Sequence, residues 1–186
     1  MAPKETLSAE DWIKAAFRAL SIGGLQAIRA EAIARDLKVS KGSFYWHFKD
    51  VPALKAEMLK HWAERGTRDI IDEIEATGEA PAERLRRLAM AATDKRSSAY
   101  GGAAVEGAIR EWARHDSTAK AALKSVDGRR IAYLGKLFEE CGLPSDRSRT
   151  SAHILYGGLI GLTTLAIEKR GDLQSDMLSL LRLLLG

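Results

Sequence analysis

The stretch Val39-Ser40-Lys41-Gly42-Ser43-Phe44-Tyr45-Trp46-His47-Phe48-Lys49-Asp50 decides the fold. Phe44 and Phe48 stand four apart, which places both on the inner face of a helix and reads them as core. Ahead of them runs a small polar opening, Ser40 to Ser43, with Ser40 placed to cap a short helix. Upstream, Ile28, Ile33 and Leu37 predict a second short helix from about Arg29 to Lys38. Between them lies the tight turn Lys38-Val39-Ser40, whose apolar Val39 is expected to pack with Ile33, Leu37 and Phe44. Two short helices joined in this way are the layout of a helix-turn-helix.

On the N-terminal side, Ser8 offers a cap with Asp11 three residues on, and Ile13, Ala16, Phe17 and Leu20 form one apolar face. Gly23-Gly24 ends that helix. On the other side Asp50 caps a longer helix, since Pro52 falls in a first turn whose amides lack partners. Val51, Leu54, Met58, Leu59, Trp62, Ile70, Ile71 and Ile74 carry it to about Thr77-Gly78. Pro81 starts a helix that fades at Ser97-Ser98, and Gly101-Gly102 separates it from a segment ending near His115. Ser117 or Thr118 opens a long helix that Gly142 stops, and two more run from about Asp146 to Arg170 and from Asp172 to Leu185. No segment alternates as a strand. The expected architecture is all-α with about nine helices. A helix-turn-helix head over residues 1–50 precedes an antiparallel helical bundle over 51–186.

Of the 186 residues, 46% are hydrophobic and 29% charged, globular proportions for a chain that needs neither disulfides nor metal to fold. The single cysteine, Cys141, excludes an internal disulfide framework and fits a reducing cytoplasm; it is read as a buried structural thiol, with a thiol sensor as the alternative. The first twelve residues carry Lys4, Glu5, Glu10 and Asp11 and have no apolar core, so they do not read as a signal peptide. The longest uncharged apolar stretch, Ile154 to Ile167, is too short to span a bilayer. No GxSxG, Walker loop, HExxH or CxxC occurs, and the expectation is a cytoplasmic protein without enzymatic activity, metal or cofactor. The net charge of +4 permits binding to a polyanion without requiring it.

From Ser40 to Lys49 there are two lysines, one histidine and no acid, so phosphate meets only favourable charge. The opening Ser40, Lys41, Gly42 and Ser43 would face the major groove and phosphates. Small Gly42 and Ser43 allow close approach of the backbone. Trp46 is open between packing on the head and lying along a DNA backbone.

Here the sequence resembles the TetR family of bacterial transcriptional regulators. The resemblance is carried by Gly24-Leu25, Ile33-Ala34, Leu37, the stretch from Val39 to Asp50, and Leu54. A weaker likeness runs from Ile109 to Asp116, through Asp127, Arg130 and Leu134, and from Tyr156 to Leu162. It implies that Ser40, Lys41, Ser43, Tyr45 and His47 face bases or phosphates, with Lys49 near phosphate. Three positions depart from the family pattern. Arg29 stands where many members have a phosphate-contacting threonine, Lys38 where the turn usually has glycine, and Val51 where many have lysine. Arg29 and Lys49 are expected to compensate for the contact missing at Val51.

In the body, Gly157 and Gly161 stand in GxxxG spacing inside an apolar helix, and the last helix is equally apolar. The resemblance implies that these two helices from each of two chains form a homodimer interface. Tyr100, Trp112, His115, Tyr133, His153 and Tyr156 are candidates to line a ligand cavity, with Trp112, His153 and Tyr156 named first. The function expected is a repressor that binds a palindromic double-stranded DNA operator as a homodimer and is released by a small-molecule effector, with no membrane partner. The alternative is a helical small-molecule-binding or adaptor protein that has lost DNA binding, which Lys38 and Val51 favour.

Overall fold

A computed structural model describes residues 7–93, 102–166 and 172–186. Helix α1 (Ala9–Gly23) opens on a reciprocal capping box: the Asp11 amide donates to Ser8 Oγ at 3.3 Å, and the Ser8 amide to Asp11 Oδ2 at 2.8 Å. The Ser8 amide holds the Asp11 carboxyl below its ordinary range. Gly24, at φ 65°, closes the helix.

Helix α2 (Ala30–Asp36) is shorter than the expected Arg29–Lys38 because a Schellman closure ends it. The Val39 amide reaches back to Ala34 O at 3.0 Å and the Lys38 amide to Arg35 O at 3.2 Å. That closure puts Lys38 at φ 56°, the left-handed region that the motif normally fills with glycine. The missing turn glycine therefore leaves Lys38 in a strained backbone conformation.

The second helix of the motif differs in kind from expectation: Lys41–Trp46 is a 3-10 helix, and the Ser40 hydroxyl makes no capping bond. The Ser43 amide bonds instead to Ser40 O at 3.1 Å, an i to i+3 pattern. A six-residue run is long for this tighter geometry, and Gly42 near its start weakens the competing α-helical form. Asp50 does cap the next helix, accepting from the Ala53 amide at 2.8 Å.

The single helix expected from Val51 to Thr77 is interrupted. Helix α3 (Val51–Ala63) passes through a π turn at Glu64–Arg68 into α4 (Asp69–Ala76). Gly66 lies in that turn, and Arg130 binds it from outside: Nη2 donates to Gly66 O at 2.9 Å and Nε to Thr67 Oγ1 at 3.1 Å. Helices α5 (Pro81–Thr93), α6 (Gly102–Trp112), α7 (Ser117–Glu140), α8 (Ser145–Ala166) and α9 (Leu173–Leu185) follow. The fold is all-α, with nine α-helices and no strand among the described residues. The expected helix ends at Ser97-Ser98 and Arg170, with Tyr100 and Gly101, lie outside those residues. No helix among them is long and apolar enough to cross a membrane.

Packing divides the chain into two compact units, along a different line from the expected 1–50 and 51–186. The first runs to Trp62 and takes in 98–122. It extends past residue 50 because Leu54 and Met58 of α3 are fully buried with Trp12, Phe17, Leu20, Ile33 and Phe44. Helix α6 packs on α1, and Trp62 Nε1 donates to Glu106 Oε2 at 3.3 Å. The second unit comprises 63–97 and 123–186. There α9 lies against α5 and α8 over a core that includes Leu85, Leu137, Phe138, Leu155, Met177 and Leu181. At its rim Arg84 pairs with Glu75 at 2.9 Å and Glu140 at 2.5 Å. Cys141 is half-buried and burial pushes its thiol up, which disfavours the thiolate a sensor would need.

Candidate nucleic-acid interface

The set expected to face DNA is presented by what lies beneath it. Phe44 is fully buried and Phe48 is 6% exposed, as their spacing requires. Trp12 meets Phe44 edge-on at 5.5 Å between ring centroids. With positions 44 and 48 fixed inward, the intervening side chains turn out: Tyr45 is 56% and Trp46 88% exposed. The Trp46 indole therefore does not pack on the head, which closes that alternative. Arg29, Ser40, Lys41, Gly42 and Lys49 are exposed, while Ser43 and His47 are half-buried. Arg29 Nε donates to Gln26 O at 2.9 Å, which anchors the guanidinium at the entrance to α2. Every residue expected to meet DNA thus lies at least partly in solvent.

One member of this surface does not follow from reading residues 40–49 alone. Glu31, in the first turn of α2, forms an ion pair with Lys41. The pair raises the Lys41 ammonium and lowers the Glu31 carboxyl, in each case first through their hydrogen bond. Arg29 adds a smaller charge attraction on Glu31. The acid-free run on the recognition segment therefore has an acid facing it from the preceding helix. An acid in the first helical turn is a visible signal, since it complements the helix dipole there. Its partner ten residues on is set by the turn. Asp36, the other α2 acid at the helix end, is taken by Arg18 at 2.6 Å.

The residues named for a ligand do not share one environment. Trp112 is buried in the first unit, whereas His153 and Tyr156 belong to the second. On α8 those two stand three residues apart and turn differently. His153 is exposed, its Nδ1 2.8 Å from Arg149 O, along a surface groove with Gly128, Ile131 and Gly135. Tyr156 is buried: its hydroxyl donates to Asp127 Oδ1 at 2.7 Å and accepts from Arg130 Nη1 at 3.0 Å. Tyr133 is buried, and His115 is exposed in the turn after α6, 3.6 Å from Glu111. Among the described residues no group of His, Cys, Asp and Glu is arranged to hold a metal ion.

Residues 13–58 match the family model of the bacterial regulatory proteins of the tetR family. Over this segment the chain resembles that family. The matched segment contains α1, the whole helix-turn-helix and most of α3. The TetR fold extends over nearly all the rest. A TetR-family regulator structure from Rhodococcus sp. superposes with a TM-score of 0.78 at 19% identity, covering 96% of this chain and 98% of that one. FadR from Bacillus subtilis, solved with stearoyl-CoA, gives 0.71 at 17% identity over 96% and 98%. A regulator from Saccharomonospora viridis, solved with choline, gives 0.72 at 16% identity over 92% of each chain. At such identities the common property is the fold. No curated protein matches the sequence.

Proposed function

We propose that this protein is a cytoplasmic TetR-family repressor. In this reading it binds a palindromic operator as a homodimer and releases it when a small molecule occupies the body. The observation that carries the reading is the outward edge of the helix-turn-helix, where Tyr45, Trp46, Lys41 and Lys49 stand in solvent over a buried Phe44-Phe48 anchor. Such an edge suits a major groove lined by phosphates. Arg29, Ser40, Gly42, Ser43 and His47 complete the contact set, and the functional division remains residues 1–50 for DNA and 51–186 for sensing and dimerisation. Homodimerisation is supported by Ile154 and Leu165 on α8 and Leu183 on α9, which are 47%, 63% and 79% exposed. Two heads related by a two-fold axis read two half-sites, and a palindrome is the matching sequence. Release follows if the effector favours a spacing of heads that the operator does not fit. Relatives of the same fold solved with stearoyl-CoA and with choline support an organic effector.

The test is a mobility-shift titration on the chain's own promoter region at several salt concentrations. Steep loss of affinity with salt is expected, and Tyr45→Ala and Lys41→Ala should weaken operator binding without loss of folding. Parental binding by both variants would reject this face. The left-handed Lys38 and half-buried Val51 favour a second reading, a helical small-molecule-binding or adaptor protein. Absence of retardation even at low salt would select it.

A further inference from the structure

Lys41 is the cation at the opening of the recognition segment, and Glu31 of α2 is bound to it while both remain about half exposed. An ammonium so paired neutralises a phosphate only after leaving its carboxylate or sharing it. We infer that Glu31 is a specificity-determining residue of the DNA interface: it holds Lys41 in an internal ion pair, so that Lys41 contributes a phosphate contact on the operator and little on other DNA.

The physical basis is the sequence-independent origin of non-specific affinity, which scales with the number of phosphates neutralised. Arg29 and Lys49 act there in any register. Lys41 does so only where docking on the correct sequence brings a phosphate close enough to displace Glu31. Any sequence that leaves the head slightly out of register keeps the pair closed, so Lys41 neutralises no phosphate there. The pair crosses the turn of the motif, joining α2 to the recognition segment, so it exists only in the folded head. Arg29, lying on the same side of Glu31's charge, and Tyr45, beside Lys41, are the other ionisable groups that act on this pair. The inference rests on the DNA-binding reading and adds to it the source of discrimination.

The experiment uses four full-length proteins: the parent, Glu31→Gln, Lys41→Gln and the double variant. Fluorescence anisotropy measures their binding to a random-sequence duplex and to a promoter fragment across a series of KCl concentrations, with thermal melts as a control on folding. Glu31→Gln should bind the random duplex about threefold or more tighter at low salt, with a slope of log affinity against log salt steeper by about 0.9. Its gain on the promoter fragment should be smaller, so the ratio of specific to non-specific affinity falls. In the Lys41→Gln background the Glu31→Gln change should do nothing. An unchanged slope in Glu31→Gln overturns the inference, and so does an equal gain with and without Lys41, which would mean direct repulsion between the carboxylate and DNA. Absence of salt-dependent binding by all four proteins would instead reject the DNA reading itself, and the inference with it.

Discussion

Lys38 carries more of the helix-turn-helix than its position on the surface suggests. The Schellman closure of α2 needs a left-handed residue, and Lys38 supplies it at φ 56°. At the end of α7 the same closure occurs with glycine: Gly142 is at φ 91°, and the Leu143 amide reaches Phe138 O at 3.2 Å. A residue with a Cβ costs about 1–2 kcal/mol in that conformation, while glycine costs about 0.5–1 kcal/mol through the freedom it has when unfolded. The balance favours Lys38→Gly slightly and opposes a β-branched side chain strongly. In thermal melts Lys38→Gly should unfold a degree or two above the parent and Lys38→Val well below it. The order valine, lysine, glycine is the checkable outcome, and a valine variant as stable as the parent would contradict the turn geometry. Phe44 behaves oppositely, through burial alone. Truncation to alanine should cost about 3–5 kcal/mol in a denaturant titration, because the ring is fully enclosed against Trp12 and Phe48.

At the scale of elements, interruptions do what uninterrupted helices cannot. The π turn between α3 and α4 exposes the Gly66 carbonyl to Arg130, and Thr67, 2% exposed, accepts from the same guanidinium. A buried hydroxyl and a half-buried carbonyl that lose their donor cost about 1–3 kcal/mol. Arg130→Met, which keeps the length of the stem, should lower stability by about that amount in urea, and Arg130→Lys should not restore it, since one ammonium cannot reach three acceptors in a fork. Helix α7 offers a second test, in pH. Burial and then the charge of Glu75 push the Tyr133 hydroxyl up to about 12. An unfolded tyrosine ionises near pH 10, so the fold keeps this proton longer than the unfolded chain does. Its contribution is intact below pH 10 and is lost as the pH climbs towards 12. The stability of the parent relative to Tyr133→Phe should therefore fall across that window, with a fixed offset below it.

The same elements show what a sequence can express. Helices, caps and the Phe44-Phe48 anchor depend on neighbours within about four positions, so spacing reveals them. The π turn depends on Arg130, more than sixty residues away, and helical periodicity runs straight through it. The Glu31–Lys41 pair escapes for a related reason, since the turn decides which α2 side chain meets the recognition segment. Trp46 stays open between two readings until its neighbours' burial is known.

For the whole molecule, the outstanding question is what covers α8. Gly158 is the α8 glycine that admits close packing within the chain, since a Cβ there would collide with Leu180 of α9. Gly157 and Gly161, the GxxxG pair, have nothing within 4 Å of a Cβ added to either. They line up with Ile154 and Leu165 at spacings of three and four, one stripe along the helix. An open stripe of small and apolar residues on a helix suits a second copy of itself. Two substitutions separate the roles. Gly161→Ala should raise helix stability in a monomer by up to about 1 kcal/mol because it meets nothing there. Ile154→Asp with Leu165→Asp should leave the fold intact, since both side chains are largely in solvent, and should convert the species seen in light scattering from two chains to one. That monomer should bind a promoter fragment far more weakly than the parent. If it still runs as two chains, the dimer uses another surface and the stripe needs a different occupant.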